Sequence, residues 1–96
     1  MKIPEFRLIA QPLSKEAKDL PPFEWADADI GKRHRLGGVP EDLPPTDYPK
    51  CTCYKPMTFY GQLDSLNDEI NLADCGLILV FVCFDCFETK SMLHSG

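Results

Sequence analysis

The 96-residue sequence predicts a small, mainly β domain, α+β at most, in which an antiparallel sheet is stapled by a zinc-ribbon-like site of four cysteines. Three observations lead there. Gly76 to Phe84 holds the near-unbroken apolar run Leu77-Ile78-Leu79-Val80-Phe81-Val82, the pattern of a strand covered on both faces. Met57 to Leu63 alternates as a second strand, with Met57, Phe59 and Leu63 on one face. Cys83 and Cys86 stand where the apolar strand ends, and Cys51 and Cys53 stand just before the other. Antiparallel pairing of the two strands would bring the cysteine pairs together.

A chain of this length reads as one domain spanning residues 1–96. Its core is modest, and small domains often add a metal or a disulfide to compensate. The nine prolines all lie in the first half, 1–56, and the β-rich half follows at 57–90. Neither half could bury a core alone. The first residues lack the apolar stretch of a secretory signal, and no run is long enough for a membrane-spanning helix. The expectation is a cytoplasmic protein with no membrane partner. In a reducing compartment, clustered cysteines are metal ligands or redox groups rather than disulfides, and their odd number, five, suits no complete disulfide framework.

Along the chain, Glu5 to Ala10 reads as a short strand with Phe6 and Leu8 on one face. Ser14 to Leu20 reads as one or two helical turns, capped by Ser14 and stopped by Pro21-Pro22. Phe23 to Ile30, with Trp25, gives no clear pattern. The basic run Lys32-Arg33-His34-Arg35 reads as an exposed strand or loop edge. Leu36-Gly37-Gly38-Val39-Pro40 is a turn, since two glycines permit positive φ and Pro40 fixes the exit. Glu41 to Lys50 is a loop. Asp64 to Asp74 is a polar connection with room for a helical turn, and Asp64, Asp68, Glu69 and Asp74 read as a solvated acidic patch. Glu88 to Gly96 reads as a polar tail that frays.

The chemistry rests on the cysteines. A Cys-x-x-Cys loop presents two sulfurs to one metal, and four thiolates form the closed tetrahedral site that zinc prefers. Cys51-Thr52-Cys53 is one residue shorter than the usual half-site. Residues two apart in a strand point the same way, so both sulfurs can reach one ion. The metal set is therefore Cys51, Cys53, Cys83 and Cys86, holding one structural Zn²⁺. Cys75 reads as a core or turn residue, and His34 and His94 as solvated. A redox pair at Cys83 and Cys86 is the competing reading. It calls for a helix N-terminus to lower a thiol pKa, and the flanking residues give no helix signal.

No phosphate loop, nucleophile elbow or metalloprotease motif is present, so no enzyme is expected. The formal charge of −5 opposes nucleic acid and favours a basic protein partner.

The strings Leu36-Gly37-Gly38-Val39-Pro40, Tyr48-Pro49-Lys50-Cys51-Thr52-Cys53, Pro56-Met57-Thr58-Phe59-Tyr60-Gly61-Gln62-Leu63-Asp64 and Asp74-Cys75-Gly76-Leu77-Ile78-Leu79-Val80-Phe81-Val82-Cys83, with Cys86, resemble the YwqG-like bacterial domains. The same motif order recurs in programmed cell death protein 2, grouped with them as the TYPP superfamily. The resemblance covers residues 36 to 90. It implies a mainly β domain with paired cysteines at 51, 53, 83 and 86, acting by stoichiometric protein binding as a chaperone or a toxin-immunity protein. The alternatives are a thiol redox enzyme using Cys83 and Cys86, or a zinc-ribbon nucleic-acid binder. Gln62, on a strand and facing opposite Phe59, is expected to meet either a buried partner or solvent.

Overall fold

A computed structural model describes every residue except Met1, Trp25, Asp27, Ala28, Glu41, Asp74, Ser95 and Gly96. Trp25 and Asp74 of the sequence reading lie outside the described residues. Five strands run in chain order across one sheet: β1 (Phe6–Arg7), β2 (Arg35–Leu36), β3 (Thr58–Asp64), β4 (Leu77–Val82) and β5 (Thr89–His94). All neighbours are antiparallel. The expected pairing of the two main strands is present, and among the described residues helix is confined to α1 (Lys15–Lys18) and a 3₁₀ turn at Pro45–Asp47. The Ser14 hydroxyl caps α1 by accepting from the Ala17 amide at 3.1 Å. Among the described residues, no helix is long and apolar enough to cross a membrane.

A bulge changes which side chains of β3 face the core. The register slips between Phe59 and Gly61, which makes Tyr60 the extra residue. Phe59 pairs with Phe81, Gln62 with Leu79 and Asp64 with Leu77, so these three share the buried face. Leu63, expected beside Phe59, therefore turns to the other face and is 47% exposed. Gln62, expected opposite Phe59, is buried with it. Strict alternation fails at one residue, and every later side chain is reversed. Gly61 is fitted to this crossing: a Cβ there would lie 2.7 Å from the Arg35 carbonyl oxygen of β2.

The core lies on one face only. Leu77, Leu79 and Phe81 of β4 are buried there with Met57, Phe59, Cys51 and Cys83, and Leu43, Tyr48 and Met92 pack against them. The Phe81 ring lies 5.1 Å from Tyr48 and 5.7 Å from Phe59. The proline-rich segment, through Leu43, Tyr48 and Cys51, is thus the lid of the sheet. Each such side chain adds roughly 2 kcal/mol on burial. Ile78, Val80 and Val82, on the opposite face of β4, are only half-buried, so the strand is central in the sheet but covered on one side.

Other expectations are corrected as well. Residues 89–94 do not fray but pair with β4 along its full length. The strand expected at Glu5 to Ala10 is two residues long and exposed. Of the basic run, Lys32 is an exposed loop residue as expected, but Arg35 lies in β2, which is flanked by β1 and β3. His34 is buried, and its Nδ1 accepts the Asp64 amide at 2.9 Å. The Nε2 of His94 is buried too. The described residues of the Asp64 to Asp74 connection hold no helix, and Asn67 organises them by accepting from the Glu69 and Ile70 amides. Gly37 and Gly38 both take φ of 70°, as the turn reading requires.

Candidate metal centre

Cys51 and Cys53 sit in a tight turn before β3, and Cys83 and Cys86 sit in the loop joining β4 to β5. Pairing of β3 with β4 brings the two loops together. The two loops are built alike. Cys51 accepts from the Tyr54 amide at 2.9 Å, and Cys83 accepts from the Phe87 amide at 2.8 Å. In each, the residue after the second cysteine is left-handed: Tyr54 has φ 64° and Phe87 φ 62°. The Cys-x-Cys half-site is thus the same kind of loop with one residue fewer. Cys51 and Cys53 share an orientation through this turn, not through a strand as their spacing suggested.

The four sulfurs lie within 4.8 Å of one another. Individual separations are 2.9 Å for Cys51–Cys86, 3.3 Å for Cys51–Cys53 and 3.6 Å for Cys53–Cys83. Tetrahedral zinc with bonds of about 2.3 Å sets sulfurs about 3.8 Å apart. The donor set therefore fits such an ion after a small expansion. Each loop gives one buried sulfur, Cys51 or Cys83, and one exposed, Cys53 or Cys86. The buried pair belongs to the hydrophobic core, which couples the cluster to folding.

Two electrostatic features prepare the cluster. Backbone N–H groups of Cys86 and Asp85 point at the Cys83 sulfur and lower its pKa to about 7 against desolvation. The Glu88 carboxylate ties the two loops together: its Oε2 accepts from the Cys51 thiol at 3.0 Å, the Thr52 amide at 2.9 Å and the Thr52 hydroxyl at 2.8 Å. These bonds, from Cys51 first and then Thr52, hold the Glu88 carboxyl down at about 2. Hydrogen bonds with Cys86 and Glu88 push the Cys51 thiol up, so its proton must leave before it can serve as a thiolate ligand.

The structure places all four cysteines of the sequence reading in one cluster and leaves the other candidates out. Cys75 is a half-buried turn residue at φ 66°, with its sulfur 3.8 Å from the Asn71 amide nitrogen. Asp64 does not belong to a solvated acidic patch. It is buried against Arg33, whose Nε reaches Oδ2 at 2.9 Å and whose Nη2 reaches Oδ1 at 2.8 Å. Asp68, expected in the same patch, accepts the Glu24 amide at 2.9 Å. Sequence reasoning missed Glu88, whose only signal was a carboxylate two positions after the last cysteine. Comparison with protein-family models, curated proteins and solved structures finds no match to this chain.

Proposed function

We infer that this chain is a zinc-stabilised, non-catalytic protein-binding module. The observation that carries the binding role is the uncovered face of the sheet. Ile78, Val80 and Val82 of β4 line it, and the register sets Leu36, Leu63 and Leu93 beside them. Phe6 on β1 and Leu93 on β5 are more than half exposed. No strand residue on this face is charged, as the register and sequence give it. Contiguous apolar surface rimmed by polar loops marks an interaction site. The net charge of −5 speeds encounter with a basic protein. The cluster supports a structural rather than catalytic metal, because four sulfur donors fill a tetrahedral ion. The resemblance to YwqG-like domains points the same way, toward a chaperone or a toxin-immunity role.

The thiol redox reading draws on the lowered Cys83 pKa and the 2.9 Å approach of Cys51 and Cys86. A zinc-bound set of four thiolates leaves no nucleophile for it. The experiment is co-purification of a basic partner with the zinc-loaded chain, beside Leu63→Glu/Leu93→Glu. The expected result is loss of the partner with zinc retained. Equal capture by the variant, or Cys83-dependent turnover of a disulfide substrate, would contradict the reading. Relief of a toxic partner on co-expression favours immunity, and improved partner yield favours a chaperone.

A further inference from the structure

The basic run has a placement that neither the cluster nor the apolar face explains. Arg7 of β1 and Arg35 of β2 are direct cross-strand partners on one face. Like charges so placed repel and destabilise a ladder unless an anion lies between them. They line a cleft of about 470 Å³ together with Lys32 and Arg33. Arg33 is committed to Asp64. Among the described residues, Arg7 and Lys32 make no ion pair. Arg35 has its nearest carboxylate, Glu5, at 4.0 Å, and its Nε is buried with no acceptor. Glu5 and Asp29 also line the cleft, but the cations outnumber them, on a chain whose net charge is −5.

Part of the basic segment is also held rigidly, at Arg33 and Arg35. Asp64 accepts from the backbone amides of Gly31 at 2.7 Å and Arg33 at 3.0 Å. Gln62 donates to the Arg33 carbonyl at 2.8 Å, and the guanidinium of Arg35 donates to the Val39 carbonyl. Two buried polar side chains of β3 are thus spent on fixing one basic segment. Burying polar groups is costly unless they are well bonded, so the expenditure needs a reason. A fixed segment that carries Arg35, with the exposed Arg7 and Lys32 beside it, reduces the ordering left to be done when an oxyanion arrives.

We propose that this cleft binds a small phosphate-bearing molecule through Arg7, Lys32 and Arg35. Its volume is that of a site for a small ligand rather than for a lone ion. Three cations suit a phosphomonoester, with up to two charges and three free oxygens, better than a carboxylate with one. A nucleic-acid strand is disfavoured, because a long polyanion would also meet the acidic remainder of the surface.

The test is a ¹H–¹⁵N titration of the zinc-loaded full chain with inorganic phosphate, then with adenosine monophosphate, a sugar phosphate and acetate. Saturable shifts are expected at Arg7, Lys32 to Leu36 and Gln62 with the phosphate compounds, and none with acetate. The two organic esters show which moiety fills the rest of the cleft. Arg7 and Lys32 are exposed, so Arg7→Gln/Lys32→Gln keeps the fold, as unchanged zinc content verifies. It should weaken phosphate about tenfold or more, the effect of losing charge-assisted contacts. Absence of saturable shifts at these residues, or equal phosphate affinity in the double variant, overturns the proposal. So does a single-stranded oligonucleotide that binds more tightly than the monoesters.

Discussion

Asp64 is the residue on which most of the basic segment hangs. Burial pushes its carboxyl up, but bonds from the Arg33 side chain and from the Arg33, Gly31 and Ser65 amides prevail and hold it below the ordinary value of 3.8. A depressed carboxyl stabilises the fold above its unfolded pKa, and that stability is lost as pH falls through the lower folded value. Asp64→Asn should cost about 3 kcal/mol at neutral pH, since it strands Arg33 beside a neutral amide. Its difference from the parent should shrink below about pH 4, where the parent's unfolded chain takes up a proton at Asp64 while the folded carboxyl still holds its charge. Urea denaturation of both proteins at matched zinc checks this, because the metal contribution cancels in the comparison. Equal stability at neutral pH would remove Asp64 from the account. The sequence showed Asp64 only as one acid among several, because its partner lies 31 positions away and the pairing comes from topology. The four cysteines, by contrast, were legible as one cluster, since spacing and strand ends place them without knowledge of the rest.

At the scale of elements, β3 and β4 were legible from their patterns, and their pairing followed from the two half-sites. The bulge at Tyr60 was not, because Thr58-Phe59-Tyr60-Gly61-Gln62 alternates acceptably in either phase. β5 was missed because Thr89-Lys90-Ser91-Met92-Leu93-His94 is polar and covers β4 only by edge pairing. The two cysteine loops carry their own test. Phe87 is left-handed and largely exposed, at a position where glycine would relieve about 1–2 kcal/mol of steric strain. Glycine's greater freedom in the unfolded chain offsets part of that gain. Phe87→Gly should therefore raise stability by up to about 1 kcal/mol, while Phe84→Gly in the same loop, where φ is ordinary, should lower it. Thermal melts of the two zinc-loaded variants decide the matter. A loss at Phe87 equal to that at Phe84 would mean that the aromatic ring packs in solution. A gain in stability accompanied by weaker partner capture would identify the ring as a contact.

Across the whole molecule, the sheet separates two chemistries. The cysteine cluster lies at the start of β3, and the basic cleft meets the strand at Gln62, about 13 Å from Thr58 by strand rise. The register puts Arg7 and Arg35 on the face of Gln62 and Leu79, so the apolar face lies on the opposite side of the sheet. The proline-rich half closes the core face over Phe81 and carries Cys51 and Cys53, so the cysteine cluster joins the lid to the sheet. Structural zinc in such sites contributes on the order of 10 kcal/mol or more to folding. This sum rivals the entire stability of a small domain. Elemental analysis of the purified chain, read beside thiol titration and Cys75→Ser and Cys86→Ser variants, tests that claim most directly. The account expects about one zinc per chain, retained in Cys75→Ser and lost with the fold in Cys86→Ser. A folded protein with no zinc and all five thiols freely titratable would contradict it.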